Sequence, residues 1–357
     1  MKKKMNLTKS TKSTLITLGI VVVGYIVLQT LMQMGAMSSL MKGLLVPICI
    51  YAIMAVSLNL TVGILGELSL GHAGFMCIGA FVSAFFSLCF KETMAAGPRF
   101  LIAIILGGIF AALSGFLIGI PVLRLRGDYL AIVTLAFGEI IKNIINVLYI
   151  GKDENGFHFS TKDAFSMNMS KEGQILINGA QGITGTPNNS NFTVAVILLV
   201  ITLIIVLNLV HSRSGRAIMA IRDNRIAAES VGINITQFKL LAFSISAGLA
   251  GIAGVLYAHN LSILQAQPKN FGYNMSIMIL VYVVLGGIGN IRGSMIASII
   301  LVLLPELMRE LNDYRMLIYS IVLIVMMLFN WSPKAKELRA RYSLKRLLGK
   351  KTAKEEI

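Results

Sequence analysis

The chain has 357 residues, of which 56% are hydrophobic and only 13% charged, with a mean hydropathy of +0.78; these values exclude a soluble globular domain and leave a membrane protein. The formal net charge of +16, from 32 Lys and Arg against 16 Asp and Glu, would raise nucleic-acid binding in a soluble chain. Here the basic residues fall mostly in short loops and tails, and no nucleic-acid partner is expected.

A bilayer core about 30 Å thick needs roughly 20 apolar residues per helix. Breaking the apolar runs at Gly, Pro and charge clusters predicts about ten spans, near 13–34, 41–60, 68–90, 100–123, 129–150, 193–211, 238–258, 273–290, 294–311 and 314–331. The expected fold class is an all-α polytopic membrane protein with a Gly-rich broken or re-entrant segment. The basic opening, residues 1–12, precedes a run from Leu15 to Met34 that is too long for a signal-peptide core, and QMGAMSS is a poor cleavage site, so an uncleaved first helix is expected. Cys49, Cys77 and Cys89 sit in apolar segments without metal-like spacing and read as small hydrophobes.

The stretch LGELSLGHAGFMCIGAF, residues 65–81, carries a glutamate, a histidine and four glycines inside an apolar run. Gly66, Gly71, Gly74 and Gly79 lower helix stability and remove side-chain bulk, which suits a broken or tightly packed helix lining a cavity. Backbone freed at membrane depth needs polar partners, which Ser69, His72 and Glu67 can supply. His72 reads either as a structural histidine bonded to a neighbouring carbonyl, the preferred reading, or as a substrate contact, and Glu67 is expected at the membrane edge. Further on, Asp128 and Tyr129 begin a helix after RLRG, where Asp favours capping over catalysis. Arg124 and Arg126 face lipid phosphates or a partner. Glu139 and Lys142, three apart, share a helical face inside a span and can neutralise each other, as a structural pair or as contacts for a zwitterionic substrate.

Residues 151–192 form a polar loop rich in Gly, Asn, Ser and Thr, in which GITGTPN has turn chemistry and either shapes a docking surface or simply turns. On the opposite side, 212–237 link two spans. From Arg216, RAIMAIRDNRIAAESVGI reads as one short amphipathic helix with Gly232 placed to end it. It lies on the membrane surface, or it docks a partner whose groove approaches the small residues Ala227, Ala228 and Gly232 while Asp223 or Glu229 pairs with basic groups. GGIGNIRGS, residues 286–294, reads as a tight turn between two spans, with Gly286 and Gly287 allowing close helix crossing. With both termini cytoplasmic, 22 of the 32 basic residues lie inside, in line with the positive-inside tendency. Residues 1–12 and 332–357 are then basic cytoplasmic tails flanking a membrane domain, 13–331.

The chain has no G-x-x-x-x-G-K-[ST] phosphate loop, so any ATP hydrolysis belongs to another polypeptide. H-E-x-x-H and G-x-S-x-G motifs are also missing, which argues against an intramembrane enzyme.

Five segments taken in order, GELSLGHAGFMCIGAF, RLRGDYLAIVTLAFGEI, GITGTPN, RAIMAIRDNRIAAESVGINITQFKLLAFSISAGLAGIAGVLYAH and VLGGIGNIRGSMIAS, resemble the LivM-type permeases of branched-chain amino acid ABC importers, from roughly Pro47 to Trp331. The resemblance implies a non-enzymatic permease subunit in the plasma (inner) membrane, carrying no cofactor itself. Its implied partners are a homologous LivH-type permease, two cytoplasmic ATPases that bind ATP and Mg, and a periplasmic or lipid-anchored substrate-binding protein delivering Leu, Ile or Val. It also implies an ATPase-coupling role for Asp223, Asn224, Ala227, Ala228, Gly232 and Ile233. Ser69, Gly71, His72, Gly74, Glu139 and Lys142 are translocation-path candidates. A urea or short-chain amide importer is the alternative in the same class. An ion-coupled secondary transporter is the alternative in another, although only Glu139 offers it a membrane carboxylate and no inverted repeat is seen.

Overall fold

The computed structural model describes residues 9–125, 127–154, 156–167, 169 and 173–307, with isolated residues between 314 and 328. Contacts divide the chain into one unit through Val302 and a second from Leu303, and the first carries the helical bundle. The order is α1 (Lys9–Gln33), α2 (Ser39–Asn59), a π-helical turn (Leu60–Leu65), α3 (His72–Cys89), α4 (Ala96–Val122), α5 (Asp128–Val147), β1 (Tyr149–Asp153), β2 (Gly156–Ser160), β3 (Gln174–Asn178) and β4 (Ile183–Thr184). Then come α6 (Phe192–His211), α7 (Arg213–Asp223), α8 (Arg225–Ser230), α9 (Ile235–Ala258), β5 (Ile263–Leu264), α10 (Pro268–Phe271), α11 (Tyr273–Gly286) and α12 (Ile291–Leu307).

Among the described residues, seven helices are long and apolar enough to cross a membrane: Thr14–Gln33, Ser39–Leu65, His72–Cys89, Ala96–Val122, Asp128–Val147, Phe192–His211 and Ile235–Ala258. The expected span near 273–290 appears as the shorter α11, and that near 294–311 corresponds to α12, which is described as far as Leu307. The expected span 314–331 and the tail 332–357 lie largely outside the described residues, as does Arg126.

The bundle is built around α9, which packs chiefly on α4 and α3 and then on α2. Small residues set that spacing. A Cβ on Gly79 would lie 2.2 Å from the Gly251 carbonyl oxygen, and one on Gly254 would lie 2.0 Å from that of Met76, so these backbones touch where any side chain would separate them. Position in the bundle differs sharply between neighbours in sequence: 89% of the apolar stretch of Ser39–Leu65 is buried, against 6% for Thr14–Gln33. The first helix is therefore peripheral, and α2 with its π-helical turn is central.

Two expectations are corrected by the backbone. The chain is mostly helical, but 151–192, expected as a loop, contains strands: β1 pairs antiparallel with β2 from Tyr149↔Ser160 to Asp153↔Gly156 and with β3 from Tyr149↔Asn178 to Lys152↔Gln174. Gly156 takes φ +128 where the hairpin closes, a conformation glycine adopts freely. β4 pairs with β5, which ties this segment to the chain beyond α9. The composition of Gly, Asn, Ser and Thr reads as loop, and the alternating Phe157 and Phe159 that mark a strand are too short a pattern to override it.

The single amphipathic helix expected from Arg216 is two helices. Asn224 adopts an extended conformation (φ −154°, ψ 104°) and its Oδ1 accepts from Ala227 N–H at 3.1 Å, so it ends α7 and caps α8 at once. Ser212 does the same between α6 and α7, its Oγ accepting from Gly215 N–H at 3.0 Å, and Asn234 caps α9 by accepting from Gln237 N–H at 3.1 Å. Three capping side chains thus fix the path of the whole connection.

Candidate functional site

Between the π-helical turn and α3, residues 66–71 leave helical geometry, and neighbouring helices satisfy the freed backbone. Leu70 N–H donates to Thr134 Oγ1 of α5 at 3.0 Å, and Ala73 N–H donates to Ser276 Oγ of α11 at 3.1 Å. Gly71 and Gly74 press on α5: a Cβ on Gly71 would sit 2.1 Å from the Thr134 carbonyl oxygen, and one on Gly74 2.7 Å from Gly138 Cα. Gly66 ends the π-helical turn with φ +81.

Behind the break runs a buried hydroxyl chain. His72, 2% exposed, meets Ser57 Oγ through Nε2 at 2.7 Å. Ser57 Oγ places its own proton on the Met54 carbonyl at 2.9 Å, so it accepts from Nε2–H. The histidine partner is thus a hydroxyl in place of the expected neighbouring carbonyl. Ser246 Oγ donates to the Ser57 carbonyl and accepts from Thr61 Oγ1 at 2.8 Å. Ser69 is fully buried, and its Oγ finds no partner among the described residues.

Glu67 has a partner within the bundle. It forms an ion pair with Lys239 of α9, and the two side chains are 15% and 6% exposed. Glu139 and Lys142 pair on one face of α5, and Glu139 Oε1 also accepts from Tyr273 N–H at 2.9 Å. That carboxylate therefore meets the first amide of α11, the favourable end of the helix dipole. Asp128 lies in the first turn of α5, where its charge suits the helix dipole, but the capping position is Gly127 and it carries no side-chain capping bond, so the expected cap is corrected.

On α7 and α8 the expected residues separate. Asp223, Asn224, Ala227 and Gly232 are exposed, Ile233 is half-buried, and Ala228 is turned inward against Ile221 and Ile235. The exposed apolar groups are instead Ile226 and Val231, at 81% and 77%. Gly232 takes φ +83 and follows α8, as a helix-ending glycine does. Arg222 reaches the break: its Nη1 donates to the Gly63 carbonyl of the π-helical turn at 2.9 Å.

Several of these residues are invisible to pattern reading. Ser57, Thr61, Thr134, Ser246 and Ser276 lie in apolar runs as isolated small polar residues, a weak signal common in membrane helices. Asn59 is stronger, an amide near the end of an apolar run; its Nδ2 donates to Ser294 Oγ at 2.8 Å and its Oδ1 accepts from Gly289 N–H at 2.9 Å. GGIGNIRGS forms the expected turn, with φ +95 at Gly287 and +82 at Gly289. Among the described residues, no group of three His, Cys, Asp or Glu is placed to hold a metal ion.

A family model described as branched-chain amino acid transport system / permease component matches residues 40–329. The chain is 37% identical over 294 residues to the high-affinity branched-chain amino acid transport system permease protein LivM of Salmonella typhimurium, covering 80% of this chain and 67% of that protein. It has the same identity and coverage with LivM of Escherichia coli K12. It is 24% identical over 254 residues to the LivH permease protein of the Salmonella typhimurium system, covering 70% of this chain and 79% of that one. No solved structure matches. A chain matched over most of its length by this model and by these relatives belongs to the family of branched-chain amino acid transport permease components.

Proposed function

We propose that this chain is the LivM-type permease subunit of an ATP-driven importer that carries leucine, isoleucine or valine across the plasma membrane. The observation that carries the reading is the 37% identity to LivM over 80% of the chain, with weaker likeness to the LivH permease of the same kind of system. A LivH-type permease would complete the translocation path, two cytoplasmic ATPases would bind and hydrolyse ATP, and a substrate-binding protein would deliver cargo. In this reading α11, α12 and the apolar run 314–331 complete about ten spans, both termini are cytoplasmic, 212–237 is the coupling loop and 151–192 faces outward.

The chain itself does no covalent chemistry on its cargo. ATP binding to the partner subunits would pull on α7 and α8 through Asp223, Asn224, Ala227, Gly232 and the exposed Ile226 and Val231, with Ala228 and Ile233 holding the loop against the bundle. The break at 66–74 would form part of the path wall, where the Ser69 hydroxyl and the His72, Glu139 and Lys142 neighbourhoods offer polar contacts to a zwitterion in an otherwise apolar setting.

Affinity purification in mild detergent with native partners retained, followed by mass spectrometry, tests this. Recovery of a second permease and ATP-binding subunits is the expected result. Recovery of the chain alone, competent for transport in vesicles without ATP, would overturn it in favour of an ion-coupled carrier, and preference for urea or short-chain amides would correct the cargo.

A further inference from the structure

We infer that Arg222 is a positioning residue that links the exposed Asp223 to the π-helical turn, so that engagement of Asp223 by an ATPase is felt at the break. This rests on the coupling reading above. One guanidinium holds both ends: Nε and Nη2 donate to Asp223 Oδ1 at 3.0 and 2.8 Å, while Nη1 donates to the Gly63 carbonyl at 2.9 Å. Asp223 is 67% exposed at the α7–α8 corner, so a basic group of a docking protein can reach it.

The receiving end is a place where an arginine matters. The π-helical turn stops at Leu65, and past a helix end the last carbonyls lose their intrahelical donors. Gly66 N–H and Glu67 N–H both return to the Thr61 carbonyl, and the Gly63 carbonyl takes Arg222. A Cβ on Gly66 would lie 2.6 Å from Arg222 Cγ, so glycine is what lets the arginine stem pass. Gly63 in turn abuts the α11–α12 turn, a Cβ there falling 2.3 Å from Gly289 N, and Asn59 bonds that same turn. A shift of the guanidinium is thereby passed to a segment that abuts the α11–α12 turn.

An exposed pair of adjacent residues adds little to folding. Its value lies in aim: a planar fork holds both partners at fixed angles, which the single point donor of lysine does not reproduce. When a partner's cation takes Asp223, the fork loses its outer anchor and the Gly63 contact changes with it.

The test uses the complete complex in liposomes, with leucine uptake and ATP hydrolysis read on the same preparation for wild type, Arg222→Lys, Arg222→Gln and Asp223→Asn. In the Arg222 variants the ATPases still co-purify and hydrolyse ATP, while leucine carried per ATP falls about tenfold, the scale of one lost charge-assisted hydrogen bond. Asp223→Asn lowers the same ratio by a smaller factor. Unchanged leucine per ATP in Arg222→Gln, or a proportional fall of uptake and hydrolysis in both Arg222 variants, overturns the role of Arg222. A wild-type complex without ATPases overturns the coupling reading itself, a result distinct from either.

Discussion

At residues 286–293 the chain turns on itself. Gly287 and Gly289 take positive φ, Asn290 Oδ1 accepts from Gly293 N–H at 3.2 Å, and a Cβ on Gly286 would meet Ser294 N at 2.3 Å. At residues 66–74 only Gly66 takes positive φ, and four partners come from other helices: Thr134 of α5, Ser276 of α11, Ser57 of α2 and Lys239 of α9, while the Ser69 hydroxyl has none among the described residues. The first glycine-rich segment takes its shape from its own glycines and Asn290, with Asn59 of α2 bonding Gly289 N–H from outside. The second is held by four helices, which suits the proposed role of a path-wall segment biased by its neighbours.

The largest test of that contrast is Gly71→Leu. Its Cβ alone would fall 2.1 Å from a backbone oxygen of α5, so α3 and α5 must part; overpacking of this kind costs about 3 kcal/mol or more, and loss of the assembled complex on size exclusion is expected. Glu139→Gln comes next, because it leaves Lys142 buried beside a neutral partner at a cost of about 3 kcal/mol, lowering the Tm of the complex. The double variant Glu139→Gln with Lys142→Met should recover most of that Tm, and its uptake separates a structural pair from a substrate contact. Normal uptake makes the pair structural.

Gly289→Ala, in the α11–α12 turn, should cost only about 1–2 kcal/mol of left-handed strain, with the complex intact and Tm modestly lower. Ser69→Ala should change stability least. It removes a buried hydroxyl without a partner among the described residues, which is neutral or stabilising within about 1 kcal/mol, yet KM for leucine uptake should rise if the hydroxyl contacts cargo. A Tm loss in Gly289→Ala as large as that of Gly71→Leu would erase the distinction between the two segments.

Local chemistry is legible in the chain and remote pairing is not. The Glu139–Lys142 pair follows from a spacing of three on a helix, and the turn at GGIGNIRGS follows from glycine and asparagine content. Glu67 and Lys239 are 172 residues apart, and no periodicity joins them, so a glutamate in an apolar run reads as an edge residue. The reach of Arg222 to Gly63 is hidden for the same reason. Asn224 sits in an otherwise regular amphipathic pattern, and the ability of its side chain to cap a new helix is a competition that hydrophobic period does not register. The strands of 149–184 are short and surrounded by turn-forming residues, so composition outweighs alternation. Ala228 shows the limit of reading small residues as contact surface: at the same spacing, Ala227 faces out and Ala228 packs inward.

The most direct test of an ATP-driven permease is leucine uptake into proteoliposomes holding this chain with its second permease and ATPases, with the binding protein outside and ATP trapped with the ATPases. The predicted result is uptake that requires ATP and every subunit and continues without any ion gradient. Uptake by this chain alone, driven by a proton or sodium gradient in the absence of ATP, would contradict it.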